Sequence, residues 1–175
     1  QNDCIRRFNL NKTKAILGIC PGAEYGDAKR WSEEKFSVVA KEVIEHGMQV
    51  WLFGSARDKV IADKIYKMLP YGYEKECVNL AGRTTLLDAV DLINLCGHVI
   101  TNDSGLMHVA SAVGCKIVVL YGSTSPEFTP PLTSDAVVVK KSMICSPCFK
   151  RDCPLEHKNC LNLIEPQDVL IQLDF

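Results

Sequence analysis

His98-Val99-Ile100-Thr101-Asn102-Asp103-Ser104-Gly105-Leu106-Met107-His108-Val109-Ala110 reads as a strand that turns directly into a helix. Three β-branched residues, Val99, Ile100 and Thr101, are followed by turn and capping types, and then by apolar residues at helical spacing. The same alternation runs along the whole chain. Strand candidates are Ala15–Cys20, Val50–Phe53, Cys77–Leu80, His98–Thr101, Ile117–Tyr121 and Ala136–Val139. They are short and almost continuously apolar, as strands buried on both faces of a parallel sheet are.

Helix candidates fill the gaps. Ser32 caps one that runs to Glu45, with Glu33 and Glu34 in its first turn and Gly47 just beyond its end. A second spans Asp58–Leu69, before Pro70. A third follows Thr84-Thr85 to Leu95, where Thr85 and Asp88 have the spacing of a capping pair. A fourth starts at Ser104-Gly105 and stops at Gly114, and a last one begins at Pro166. Strand and helix in strict alternation imply an α/β fold, a parallel sheet with helices on both faces. No repeat, linker or low-complexity segment divides the chain, so residues 1–175 are expected to form a single domain.

The bulk properties narrow the function. The chain has 175 residues, 47% hydrophobic and 23% charged, with a formal net charge of −1. Nucleic-acid binding, which needs a basic excess, is not expected. The basic residues between Lys140 and Lys158 are interrupted by Asp152 and Glu156 and read as a solvated face. No apolar run approaches the roughly 18 residues of a membrane span, and no signal peptide opens the chain. Gln1 stands where an initiator Met would, so the chain is expected to start at a domain boundary. Five scattered cysteines, Cys4, Cys20, Cys77, Cys96 and Cys115, fall mostly in apolar surroundings, which fits a reducing, cytoplasmic compartment.

In open parallel sheets, ligands bind beyond the carboxyl ends of the strands. The chemically distinctive residues fall there: Pro21-Gly22-Ala23-Glu24 with Lys29-Arg30-Trp31, Gly54-Ser55, Gly82-Arg83-Thr84-Thr85, Asn102-Asp103-Ser104-Gly105 with His108, and Tyr121-Gly122-Ser123. The helix start at Ser104-Gly105 offers free N–H groups to a phosphate, and Gly105 lets a ligand come close to the backbone. Asp103 can accept hydrogen bonds from sugar hydroxyls, His108 can face the same way, and Lys29 can neutralise a diphosphate. Thr84 and Thr85 can meet a base or ribose. Each also has a plainer role: Asp103, Ser104, Thr84 and Thr85 as helix caps, Lys29 as a surface cation, His108 as a buried structural residue, Trp31 as an anchor for the following helix. Phosphate-loop, dinucleotide-fingerprint and nucleophile-elbow motifs are all missing.

Cys145-x2-Cys148-x4-Cys153-x6-Cys160 gathers four thiols, with His157 among them. A structural zinc site, a reduced metal-free loop and a disulfide clasp all remain open. A catalytic thiol is disfavoured, because no organised base accompanies the cluster.

Taken together, five segments resemble the lipopolysaccharide heptosyltransferases, which use ADP-heptose. They are Pro21-Gly22-Ala23-Glu24-Tyr25-Gly26 with Ala28-Lys29-Arg30-Trp31; Leu52-Phe53-Gly54-Ser55-Ala56; Asn79-Leu80-Ala81-Gly82 with Thr84; Thr101 to Ala110; and Tyr121 to Pro131. The likeness runs in order from Lys14 to Leu173 and is to the carboxyl-terminal domain. Within the family, the Glu24-Tyr25-Gly26 and Phe128-Thr129-Pro130-Pro131 segments resemble type II.

The resemblance implies a Rossmann-like, doubly wound half of a GT-B glycosyltransferase. It implies inverting transfer of L-glycero-D-manno-heptose from ADP-heptose to the inner core of lipopolysaccharide. Carried over, Lys29 would meet the diphosphate, Ser104 and Gly105 the phosphate with His108 nearby, Asp103 the heptose hydroxyls, and Thr84 and Thr85 the adenosine. The acceptor and the general base would belong to an amino-terminal domain absent from this chain, which would leave the domain inactive alone. No metal would be needed for chemistry, so zinc on Cys145, Cys148, Cys153 and Cys160 would be structural. The enzyme would be cytoplasmic, peripheral to the inner membrane through its acceptor. Two alternatives stand beside this: a related transferase using another nucleotide sugar, and a non-catalytic, zinc-stabilised binding module.

Overall fold

A computed structural model of the chain describes residues 1–173. Six strands form one sheet: β1 (Ile16–Cys20), β2 (Gln49–Leu52), β3 (Cys77–Asn79), β4 (His98–Asn102), β5 (Lys116–Tyr121) and β6 (Ala136–Lys140). Their order is β3-β2-β1-β4-β5-β6, and every neighbouring pair is parallel. All six expected strands are present to within one residue at each end.

The helices are α1 (Asn2–Arg7), α2 (Glu33–Glu45), α3 (Lys59–Lys67), α4 (Leu86–Ile93), α5 (Gly105–Ala112), α6 (Asn159–Asn162) and α7 (Pro166–Leu170). Sequence reasoning missed α1 and α6, both too short to show a period. The caps are as expected. Ser32 Oγ accepts from the Lys35 amide at 3.2 Å. Thr85 and Asp88 form a reciprocal capping box: Thr85 Oγ1 accepts from the Asp88 amide, and the Thr85 amide donates to Asp88. Gly47 ends α2 with φ +82°, a left-handed conformation that glycine adopts at no steric cost.

The sheet separates two cores. Leu17, Ile19, Val50, Leu52, Ile100, Val118 and Leu120 point to the side covered by α2, α3, α6 and α7. Their neighbours Ile16, Cys20, Trp51, Phe53, Val99, Ile117, Val119 and Tyr121 point to the side covered by α1, α4 and α5. Period-2 alternation with both faces apolar is why these strands read as continuous hydrophobic runs. Trp31, 1% exposed, anchors α2: its ring meets Phe36 edge-on at 4.9 Å and its Nε1 donates to the Ile164 carbonyl at 3.0 Å.

Strand order reverses between β1 and β4. That switch point, at the carboxyl ends of the strands, is where the connecting loops part and leave room for a ligand.

Candidate functional site

A cavity of about 480 Å³ opens at this switch point. Four loops wall it. Gly22, Ala23 and Glu24 follow β1; Gly54, Ser55 and Asp58 follow β2; Thr84 and Thr85 precede α4, whose first residue is Leu86; Ser104, Gly105 and Leu106 open α5. Cys20, Ala89 and Val109 complete an apolar lining. A predominantly apolar pocket with a few convergent polar groups suits a flat heterocycle with polar substituents.

Of the seven residues anticipated at the site, Thr84, Thr85, Ser104 and Gly105 line this cavity. Thr85 is also the α4 cap described above, so its two readings hold together. Ser104 is the N-cap of α5, but no side chain caps that helix. Nothing stands within 4 Å of where a Cβ on Gly105 would lie. The α5 N-terminus is therefore uncovered on the cavity side, with its positive dipole end presented to whatever enters.

Lys29 and Asp103 lie in a corner outside the lining. Lys29 Nζ meets Asp103 Oδ2 at 2.6 Å, and the two side chains are 10% and 4% exposed. The same oxygen accepts from Thr124 Oγ1 at 2.6 Å and from Thr129 Oγ1 at 3.1 Å. Asp103 thus caps nothing; it is held by one cation from the loop after β1 and two hydroxyls from the loop after β5. Lys29 Nζ also lies 5.0 Å from the centre of the Tyr25 ring. Burial, with the Asp103 carboxylate adding to it, pushes the Tyr121 phenol up, and its hydroxyl donates to the Thr129 carbonyl. His108 is exposed on α5 and is not among the residues lining the cavity.

Two further residues build the site. Asn102, fully buried at the end of β4, donates from Nδ2 to the Pro21 carbonyl at 2.7 Å and accepts from the Trp31 amide at 3.1 Å. It pins both ends of the loop that carries Lys29. Asp58 faces the same loop, and its Oδ2 accepts from both the amide and the hydroxyl of Ser55. The Asn102 bonds and the contact of Asp58 with the loop after β1 were not visible in sequence, because each joins distant strand ends.

The cysteine-rich segment packs behind the corner. The Arg151 carbonyl accepts from the Ala28 amide at 2.9 Å, Tyr25 Oη donates to the Phe149 carbonyl at 2.8 Å, and Lys158 Nζ pairs with Asp27 at 2.8 Å. The Phe149 amide donates to Ser123 at 2.7 Å. All nine cysteines are free thiols, with Cys145, Cys148 and Cys153 half-buried and Cys160 buried. Among the described residues, no group of three or more His, Cys, Asp or Glu stands close enough together to hold a metal ion. The geometry therefore gives the zinc expectation for Cys145, Cys148, Cys153 and Cys160 no ligand set.

Comparison with known proteins adds the following. Residues 2–159 match the profile of glycosyltransferase family 9 (heptosyltransferase). The chain is 49% identical to lipooligosaccharide heptosyltransferase 2 of Haemophilus influenzae over 80% of its length and 42% of that protein's. It is 43% identical to lipopolysaccharide heptosyltransferase 2 of Escherichia coli over 96% of its length and 48% of that protein's. The solved structure of E. coli ADP-heptose LPS heptosyltransferase II superposes with a TM-score of 0.88 at 41% identity, covering 98% of this chain and 49% of that one. The chain spans about half the length of the relatives it matches.

Proposed function

We propose, since this chain belongs to glycosyltransferase family 9, the heptosyltransferases, that it is the donor-binding domain of an enzyme that transfers L-glycero-D-manno-heptose from ADP-heptose to the inner core of lipopolysaccharide. The observation that carries this is the sequence of environments along the strand ends. The apolar cavity comes first, the uncapped α5 N-terminus second, and the Lys29–Asp103 corner third. They suit, in that order, an adenosine, a diphosphate and a polyhydroxylated sugar.

In this reading Thr84 and Thr85 flank the adenosine, Ser104 and Gly105 receive phosphate oxygens, Lys29 offsets diphosphate charge, and Asp103 accepts from heptose hydroxyls. His108 stands by the phosphates from the exposed side of α5. The acceptor and the general base are assigned to the part of the relatives' length outside the match, so the domain alone is inactive. The protein works in the cytoplasm, peripheral to the inner membrane through its acceptor; no helix among the described residues is long and apolar enough to cross a membrane. The transfer needs no metal. A zinc ion on Cys145, Cys148, Cys153 and Cys160 would brace the loop behind Tyr25 and Ala28. What supports it is four thiols within sixteen residues and the Lys158 amide donating to Cys153 Sγ at 3.4 Å.

Calorimetric titration with ADP, ADP-heptose, UDP-glucose and GDP-mannose tests the reading. Binding of ADP and ADP-heptose in preference to the other two, with Asp103→Ala weakening ADP-heptose more than ADP, is the expected result. A folded chain that binds UDP-glucose or GDP-mannose as well as ADP-heptose would overturn the donor assignment.

A further inference from the structure

Three donors converge on Asp103, and all three reach the same atom. Lys29 Nζ, Thr124 Oγ1 and Thr129 Oγ1 meet Oδ2 at 2.6, 2.6 and 3.1 Å. Among the described residues no donor reaches Oδ1, and Oδ1 is not one of the sealed, unpartnered polar atoms of the interior. One oxygen of a carboxylate that is 4% exposed is saturated, while the other keeps its acceptor capacity and some access.

The loop that supplies both threonines is held in place independently. Ser146 Oγ donates to the Gly122 carbonyl at 2.6 Å, the Phe149 amide to Ser123 at 2.7 Å, and the Phe128 amide to Ser125 at 3.1 Å. Thr is stiff at χ1, so a fixed backbone fixes each hydroxyl. Oδ1 keeps unused acceptor capacity on an ionisable carboxylate, and a ligand hydroxyl that arrives there adds a charge-assisted hydrogen bond.

We propose that Thr124 and Thr129 are positioning residues for the donor's sugar: with Lys29 they clamp Asp103 through Oδ2 and leave Oδ1 to accept from a sugar hydroxyl. This rests on the reading of Asp103 as the sugar-binding acid. The pair sets discrimination between a sugar nucleotide and the bare nucleoside diphosphate. It does so without touching the base or the diphosphate, and without gripping the sugar through the threonine hydroxyls themselves. A carboxylate free to rotate about χ2 would offer either oxygen and hold a hydroxyl in no fixed place; a clamped one presents a single acceptor in a single direction.

The test is the ratio of ADP-heptose to ADP affinity in the full chain, measured by calorimetry on the parent, Thr124→Val, Thr129→Val, Thr124→Ser, Thr129→Ser and Asp103→Ala. Val keeps the shape and removes the donor. Each Val variant is expected to weaken ADP-heptose about tenfold and ADP less than about twofold, and each Ser variant to restore the parent ratio. Equal weakening of both ligands would make the threonines merely structural and overturn the proposal. An unchanged ratio in both Val variants, with Asp103→Ala still lowering it, would overturn the positioning role alone. If Asp103→Ala leaves the ratio unchanged, the sugar-binding reading of Asp103 falls, and this proposal with it.

Discussion

Gly22 lies directly against the carboxylate of Asp58: a Cβ on Gly22 would fall 2.2 Å from Asp58 Cγ and from Oδ1. The loop after β1 can descend onto the loop after β2 only because position 22 carries no side chain, and this contact forms one wall of the cavity. Gly22→Ala is expected to destabilise the fold by about 1–3 kcal/mol through overpacking. In a double-mutant cycle by urea denaturation, Asp58→Ala should recover part of that loss. Strict additivity would show that the clash is relieved elsewhere.

The Lys29–Asp103 pair is almost fully buried, so removal of one partner is worse than removal of both. Lys29→Met is expected to cost about 3 kcal/mol of stability, because a buried carboxylate loses its cation. Lys29→Met combined with Asp103→Asn should cost less than the sum of the two single changes. Denaturant midpoints of the four proteins read this directly.

Acid should loosen the junction of α1 and α4. Asp88 is held down to about 2, first by the Thr85 amide and hydroxyl of the capping box, then by Arg7 and Cys4. Its unfolded value is about 3.9. A carboxylate with a depressed folded value contributes stability above its unfolded value and loses it as pH falls toward the folded one. The parent should therefore lose stability between about pH 4 and pH 2, and Asp88→Asn should lack that component of the acid slope. Parallel slopes for the two proteins would remove Asp88 as the cause.

Thiol reactivity should divide the cysteines by burial. Cys145, Cys148 and Cys153 are half-buried, whereas the other six are buried. Burial pushes the Cys20 and Cys96 thiols up, which suppresses their reactive thiolates further. Titration of the native protein with an aromatic disulfide should consume three thiols quickly and the other six only on unfolding. Protection of those three by one equivalent of zinc would support the metal-braced loop. Unchanged kinetics with zinc would exclude it.

Much of this protein was legible in its sequence. The parallel sheet with helices on both faces followed from β-branched runs separated by capped helices, because burial on both faces leaves a local mark on every strand. Ser104 and Gly105 stood out for a similar reason: a strand that runs straight into a helix start is a local event. Thr85 with Asp88 and Ser32 with Lys35 are local as well, which is why both caps were found where they were sought.

What only the tertiary structure decided concerns partners far apart in the chain. Lys29 was noticed for its loop, but its pairing with Asp103, 74 residues away, depends on β1 and β4 lying side by side. Thr124 and Thr129 sat in a recognisable segment with no role, and they gained one when the loop after β5 folded back over Asp103. His108 has the spacing to share Ser104's face, yet the rotation of α5 that buries Met107 and Ala110 leaves it exposed. The four clustered cysteines are close in sequence without forming a metal-ligand set among the described residues. Local sequence sets backbone conformation, burial pattern and capping. The direction in which a side chain points across a gap between strand ends is set by how the loops pack, and no single stretch of the chain encodes that.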